Sequence, residues 1–263
     1  MRRISDLELI AAALFAGLAA PAAAEQRPQP YRPVPATIGA ALTPPADLVA
    51  VAQRLGEAAR AGDDAAVAAR IADRLVFVIA GITPASARKA KTEGPWRDGP
   101  QRLEAIGGYF MEGDLPPAPG VDPGAAHIAQ ALSVIADAIA TPEWGRDPLV
   151  KDAICTYRGA RWDAGAAARI DAGARGLYAP AAAKVHASAS ENAAIRGTLE
   201  PERIYLEETL DGLPDGWRGV RLPSGAAGAV RESDVRDPAV WGLCFRRGPA
   251  GEWKVAAFST ALL

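Results

Sequence analysis

Histidine and cysteine, the side chains that most often hold metals or act as nucleophiles, are scarce in this chain. It has two histidines, His127 and His186, and two cysteines, Cys155 and Cys244. No His-x-x-x-His, His-Glu-x-x-His or Cys-x-x-Cys spacing occurs, so the sequence predicts no zinc site. A Cys155–His127 dyad would need an activated thiolate in an electropositive setting, which no neighbouring residue indicates. We therefore expect both histidines on the surface.

Serine, carboxylate and phosphate-binding motifs give no better case for catalysis. There is no Gly-x-Ser-x-Gly motif, and Gly107-Gly108 lies within a predicted helix with no Lys-Ser/Thr after it. The acid pair Glu207–Glu208 cannot serve glycoside chemistry, because neighbours on a strand point to opposite faces. The sequence therefore predicts a protein that is not an enzyme and that holds no cofactor and no metal.

Aromatic and arginine side chains are the remaining candidates, and they indicate binding. Tyr205 and Trp217 fall on neighbouring predicted strands, and Arg218 and Arg221 lie on the same strand as Trp217. Aromatic residues and arginine carry much of the energy of binding interfaces, so these four are the predicted ligand contacts. Because a small β-domain must bury its large side chains, one of the two aromatics is expected in the core, with Trp217 the better candidate.

The predicted contacts lie in a segment of short strands separated by tight turns. Asp215-Gly216 and Pro223-Ser224-Gly225 are turn signals, and they enclose a strand pattern with Trp217, Val220 and Leu222 at apolar positions. A further strand ending at Val230 follows. The spacing predicts a β-hairpin in this region.

Residues 184–237 as a whole resemble a bacterial SH3-like domain. The shared pattern is D-G-W, V-x-L, a glycine turn and G-x-V. Two positions depart from it, because Ala187 replaces the usual arginine of the first strand and Ala229 replaces the usual aromatic residue. The resemblance implies a small β-barrel that binds, tethers or scaffolds, and the two departures reduce the surface that related domains use for ligands.

The C-terminal tail predicts a second hairpin. Its apolar positions alternate on both sides of the turn 248–251, at Trp241, Leu243 and Phe245 and then at Trp253 and Val255. With the helical first half, this tail resembles a group of exported alphaproteobacterial SH3-domain-containing proteins that has no settled biochemical role.

The first half of the chain shows mainly helical patterns. Helices are predicted over residues 46–61, from near Asp64 to Leu75, over 101–110, over 123–139 and, as a last short element, over 164–174. A β-branched run over 76–82 predicts one buried strand. The order helix, break, helix, strand resembles the opening of cone-shaped α+β domains of the nuclear-transport-factor-2-like class.

The predicted fold class is thus α+β. A mainly helical N-terminal domain at 46–180, with a cone-shaped α+β domain as the alternative, precedes an SH3-like β-barrel with an added hairpin at 181–263. Prolines are frequent over residues 25–45, which are interpreted as an extended leader.

The N-terminus has the pattern of an export signal. Arg2 and Arg3 precede the apolar stretch Leu9–Ala20, and Ala22-Ala23-Ala24 fits a cleavage site. A membrane-spanning helix needs about 20 apolar residues, so we predict a signal peptide at 1–24, cleaved after Ala24, and a periplasmic protein without a stable membrane anchor. In an oxidising compartment the only two cysteines, Cys155 and Cys244, are expected to form a disulfide.

Charge limits the range of partners. The net charge is −2 at pH 7, which gives no electrostatic case for nucleic acid or anionic lipid. The leading prediction is a non-enzymatic periplasmic binding or scaffolding protein whose partner is a protein or a peptidoglycan peptide. Two alternatives stay open: a cell-wall hydrolase that uses the SH3-like domain for targeting, and a secreted inhibitor or stress factor.

Overall fold

The computed structural model describes residues 30–81, 88–111, 122–162, 165, 175–238 and 240–262. The predicted signal peptide at 1–24 and the predicted short helix at 164–174 lie outside these residues, apart from residue 165. No helix within the described ranges is long and apolar enough to cross a membrane.

The described part of the first half of the chain contains four helices: α1 (Ala46–Ala61), α2 (Asp64–Ala68), α3 (Gly99–Met111) and α4 (Pro123–Ala140). Three of them match the predictions closely. The α1 helix ends at Gly62, whose φ of 74° is the left-handed conformation that glycine adopts readily. The α4 helix begins at Asp122, whose side chain accepts a hydrogen bond from the N–H of Gly124, with proline in the first turn.

The helix predicted from Asp64 to Leu75 is wrong in its second half. The α2 helix ends at Ala68, and Ile71 opens a long strand in which Ile71, Leu75 and Phe77 all face the core. The apolar residues 67, 71 and 75 are spaced four apart, which suggested a helix, but four is also an even number of residues. This spacing therefore places side chains on one face of a strand as well as on one face of a helix.

The strands form two sheets. A six-stranded sheet has the order β3-β2-β14-β13-β5-β4, and an eight-stranded sheet has the order β6-β1-β10-β11-β12-β8-β9, with β7 paired to β10. The strands are β1 (Val34–Ile38), β2 (Ile71–Gly81), β3 (Lys89–Glu93), β4 (Gly145–Asp147), β5 (Val150–Cys155), β6 (Ala160–Trp162), β7 (Gly176–Tyr178), β8 (Ala183–His186), β9 (Ile195–Leu199), β10 (Arg203–Glu207), β11 (Trp217–Arg221), β12 (Ala227–Arg231), β13 (Gly242–Arg247) and β14 (Trp253–Leu262).

The predicted fold class is therefore wrong. The structure is mostly β, with 37% of the described residues in strands and 27% in helices, and the first half is not a mainly helical domain. The eight-stranded sheet is a curled half-barrel. It contains the predicted strands of residues 184–237 together with β1, β6 and β7 from earlier in the chain.

The C-terminal hairpin forms as predicted, but it does not extend the half-barrel. Strand β14 pairs in parallel with β2, and β13 pairs with β5, so the hairpin occupies the centre of the six-stranded sheet. It suits that position because both of its faces are apolar. Leu243 and Phe245 pack with the helices, whereas Cys244 and Ala257 pack in a cluster on the opposite face.

The proline-rich segment is more than a leader, because it supplies β1. Val34 and Pro35 pair with β10, and residues 36–38 then pair with β6. Proline lacks an N–H, and Pro35 stands where the strand changes partner, so the missing donor interrupts neither ladder. Tyr31 fixes the segment further: its hydroxyl donates to the carbonyl of Arg221 at 2.6 Å and accepts from the N–H of Leu206 at 3.1 Å.

The predicted disulfide between Cys155 and Cys244 is confirmed. These residues face each other directly on β5 and β13, so the bridge joins the C-terminal hairpin to its neighbouring strand in the six-stranded sheet. The two cysteines are 89 positions apart, and in the chain-entropy model a closed loop of that size stabilises the fold by about 4–5 kcal/mol.

A buried ion pair lies beside the disulfide, where the two sheets meet. Arg88 and Asp147 have fully buried side chains, and Arg88 Nη2 lies 2.6 Å from Asp147 Oδ2. Arg88 also donates to the carbonyl of Ala160 on β6 and to the hydroxyl of Ser259 on β14. The hydroxyl of Tyr157 donates to Asp147 at 2.7 Å. This cluster of charged and hydroxyl groups thus touches both sheets at once.

The buried tyrosines give the fold a measurable alkaline signature. Burial raises the pKa of Tyr31 and Tyr178 to about 12 and raises the pKa of Tyr157 and Tyr205 above its ordinary value. A group whose pKa is raised by folding stabilises the protein below its unfolded pKa, near pH 10, and that contribution is lost as pH rises towards about 12.

We expect the native protein at about pH 11 to ionise no more than two of its five tyrosines, because burial raises the pKa of Tyr31 and Tyr178 to about 12 and raises the pKa of Tyr157 still more strongly. In guanidinium chloride all five should ionise near pH 10. Absorbance at the tyrosinate band checks this. Three or more tyrosinates in a still-folded sample at that pH would contradict the burial described.

Candidate ligand groove

The groove that includes Trp217 lies where β10 and β11 separate. The two strands pair only at Leu206 with Arg221 and at Glu207 with Val220. After Glu208 the chain leaves the sheet and returns through the turn at Asp215-Gly216. The resulting groove has a volume of about 500 Å³. It is lined by Arg175, Glu207, Glu208, Thr209, Leu210, Leu213, Trp217, Arg218 and Gly219.

Trp217 forms one wall of the groove and is also well packed. Trp217 is only 9% exposed. The guanidinium of Arg231 lies 4.4 Å from the ring centroid, and the ring of His186 meets it edge-on at 5.6 Å. Trp217 is therefore a packed residue that also lines the groove.

His186 does not lie on the surface as predicted. It is 7% exposed, held between Trp217 and the loop after β8, and its Nδ1 lies 3.4 Å from the carbonyl oxygen of Ala193. The prediction failed because it considered only the strand position of His186, whereas the burial comes from Trp217 two strands away. His127 is half-buried on α4, at a close crossing where a Cβ on Gly107 would lie 1.9 Å from the His127 carbonyl oxygen.

Arg218, a predicted ligand contact, lines the groove, and its charge is already balanced within the protein. Its guanidinium contacts Glu207 at 2.9 Å and Asp237 at 2.8 Å. Burial by itself lowers the pKa of Arg218, but the bonds to Asp237 and Glu207 outweigh burial and raise the pKa above its ordinary value. Arg218 is thus a permanently charged group that orients Glu207.

The adjacent acids do not act as a pair. Glu207 bonds to Arg218, whereas Glu208 accepts a hydrogen bond from Nε of Arg221 at 2.6 Å. Each carboxylate therefore has its own arginine partner, as the opposite facing of neighbouring strand residues requires. Arg221 does not line the groove itself but holds Glu208 at its edge.

Tyr205 lies away from the groove, in the core of the half-barrel. It is 2% exposed and packs with Leu177, Val220 and Val230. Its hydroxyl accepts a hydrogen bond from the N–H of Glu200 at 2.8 Å. The structure thus brings Trp217 and Arg218 into the groove, places Arg221 beside it and buries Tyr205 elsewhere.

The apolar floor of the groove was missed by sequence reasoning. Leu210 and Leu213 lie in the connection between β10 and β11, and both are half-buried against the groove. The sequence did contain a signal for this floor, namely two leucines in a connection rich in Asp, Gly and Pro. Apolar side chains in such a connection are expected to pack against apolar surface. Arg175, which is exposed at the other side, precedes β7 and could not be placed without the pairing of β7 with β10.

A second groove, of about 510 Å³, lies between α2 and the start of α3. Its polar groups serve the helices. Asp98 accepts from the N–H of Gln101 at the start of α3, and Arg102 donates to the carbonyl of Ile71. The groove beside Trp217 is the better candidate because it joins an aromatic wall to apolar residues and charged edges.

Within the residues that the structure describes, no group of three or more metal-binding side chains occurs. Comparisons with protein-family models, with curated proteins and with solved structures gave no match to this chain.

We expect Trp217→Ala to lower the free energy of unfolding by about 3–5 kcal/mol, the usual cost of removing a large buried side chain. The matched control is Trp241→Ala, because Trp241 is 46% exposed and its loss should cost about 1 kcal/mol or less. Chemical denaturation of both variants measures the difference. Equal costs for the two substitutions would remove Trp217 from the packed part of the half-barrel.

Proposed function

We propose that this chain is an exported, non-enzymatic binding or scaffolding protein that holds a protein segment or a cell-wall peptide in the groove beside Trp217. The observation that carries the proposal is the arrangement of the groove itself. An aromatic wall, the two leucines 210 and 213, and charged residues at both sides meet in one open space of about 500 Å³. That volume suits the side chains of a peptide.

The character of the groove favours a chain-like ligand. Glu208 and Arg175 lie at its edges, so both signs of charge are present and neither a strongly acidic nor a strongly basic partner is preferred. Arg218 and Glu207 neutralise each other inside the groove. A ligand of moderate polarity with an apolar side chain for Leu210, Leu213 and Trp217 fits these groups.

Export to the periplasm is part of the proposal. The Arg2-Arg3 pair, the apolar stretch that follows and the alanines up to Ala24 support a cleaved signal. The Cys155–Cys244 disulfide supports the same compartment, because such bonds persist in oxidising surroundings. The resemblance of residues 184–237 to bacterial SH3-like domains supports binding over catalysis.

Leu213→Glu tests the proposal, because it places a charge against the apolar wall with little change to the packed core. We expect binding of the purified protein to sedimented peptidoglycan to fall at least about tenfold in Leu213→Glu. Cross-linking to a periplasmic protein should fall by the same factor when a photoreactive residue stands at position 210 in both the wild-type and the Leu213→Glu background. Ile195→Glu is the matched control, since Ile195 is an exposed apolar residue outside the groove.

The proposal fails if neither peptidoglycan nor a periplasmic protein is retained by the wild type. It also fails if Ile195→Glu weakens retention as much as Leu213→Glu does, because the contact would then lie outside the groove.

A further inference from the structure

Where β11 borders the groove, its main chain is paired with a neighbouring strand on one side and not on the other. Strand β11 pairs with β12 along its whole length. The N–H of Glu232 bonds to the carbonyl of Gly216, and the N–H of Leu222 bonds to the carbonyl of Ala226. In an antiparallel pair the bonded positions alternate, so residues 216, 218, 220 and 222 direct their main-chain groups towards β12.

The residues between them, Trp217, Gly219 and Arg221, therefore direct their N–H and C=O groups towards β10. Two bonds agree with this assignment, because the carbonyl of Gly219 accepts from the N–H of Glu208 and the carbonyl of Arg221 accepts from the hydroxyl of Tyr31. At Trp217 the chain of β10 has already turned away. Among the described residues, the N–H and C=O of Trp217 have no hydrogen-bond partner.

We propose that the groove takes its ligand as an added strand: an extended polypeptide segment pairs its main chain with the N–H and C=O of Trp217 and places one apolar side chain against Leu210 and Leu213. This inference rests on the proposed function and names its ligand class. A main-chain donor and acceptor beside an apolar pocket is the arrangement by which sheet edges bind extended peptides, with the pairing giving affinity and the pocket giving preference.

Among the described residues, the carbonyls of Gly219 and Arg221, the other residues of β11 that face β10, both accept hydrogen bonds. Further along β11 from Trp217, the N–H of Glu208 is already bonded to the carbonyl of Gly219, and the hydroxyl of Tyr31 bridges Leu206 and Arg221. A Cβ on Gly219 would lie 2.0 Å from the carbonyl oxygen of Glu208, so the two chains are in direct contact at that point. A ligand strand can therefore enter beside Trp217 and can continue only away from β10, along the connection that holds Leu210 and Leu213.

Hydrogen–deuterium exchange of the free protein gives the first test. The N–H of Trp217 should exchange at least about a hundredfold faster than those of Arg218 and Val220, which are bonded to β12. If the Trp217 amide is as protected as its neighbours, the edge is already paired and the inference is overturned.

The second test adds a probe peptide, the acetylated and amidated pentapeptide Val-Thr-Leu-Thr-Val, at millimolar concentration. We expect exchange at the Trp217 amide to slow at least about tenfold and the resonances of Leu210 and Leu213 to shift. Two N-methylated versions, one at the central leucine and one at the threonine after it, act as controls for each other. Because N–H groups alternate along a strand, one of the two should bind about tenfold more weakly than the other.

Three outcomes would overturn the strand-addition mode: no protection of Trp217 by the pentapeptide, equal binding of the two N-methylated versions, or protection of Trp217 only by a disaccharide tetrapeptide from the cell wall, whose D-residues break the regular alternation of a strand. In the last case, and whenever Leu213→Glu still reduces retention, the proposed binding function stands. Only the inference that the ligand pairs with the main chain of Trp217 is then withdrawn.

Discussion

The buried ion pair between Arg88 and Asp147 is the contact on which the joining of the two sheets depends. Removing two charges from water is costly, and, apart from Nε of Arg88, which is buried with no partner among the described residues, hydrogen bonds to the pair offset part of that cost. Here the partners come from both sheets: Ala160 on β6 of the half-barrel, and Ser259 on β14 of the six-stranded sheet. Tyr157 and the N–H of Leu149 complete the shell of Asp147.

The position of the groove follows from this junction. Ala160 pairs with Ile38 on β1, and β1 pairs in turn with β10 at Val34 and Ile204. The groove begins where β10 ends, so its edge is connected to the buried pair through two strands. Tyr31 adds a second constraint, since its hydroxyl bridges β10 and β11 at Leu206 and Arg221, further from the groove than the bond between Glu208 and Gly219. The scaffold thus fixes the strands on both sides of the opening.

Local patterns predicted the helices and strands well where the apolar spacing fitted only a helix or only a strand. The α4 helix with its Asp122 cap, the strands around Trp217 and the C-terminal hairpin were all visible in the sequence, and the disulfide was predicted from the number of cysteines and the expected oxidising compartment. The fold class was wrong because it depends on which strands pair. The pairing of β14 with β2 and of β1 with β10 joins distant parts of the chain, and local spacing carries no information about such partners.

The candidate site was predicted in part for the same reason. Trp217 and Arg218 were found because aromatic and arginine types are themselves informative, whereas the exclusion of Tyr205 required knowledge of the core it fills. The buried ion pair was not predicted at all. Arg88 and Asp147 are 59 positions apart, and neither residue type indicates a buried position without its partner. Charged residues are expected to be exposed, and only the packing of the two sheets shows that these two are buried.

The free energy of unfolding of Asp147→Asn tests most directly whether this pair holds the molecule together. The substitution keeps the size of the side chain and leaves Arg88 buried without its counter-charge, so we expect a loss of about 3–5 kcal/mol, with amides of β10 and β14 losing protection together. Glu200→Gln, which removes an exposed ion pair with Arg203, is the control and should cost about 1 kcal/mol or less. A loss for Asp147→Asn no larger than that of the control, or lost protection in one sheet while the other is unchanged, would contradict the account.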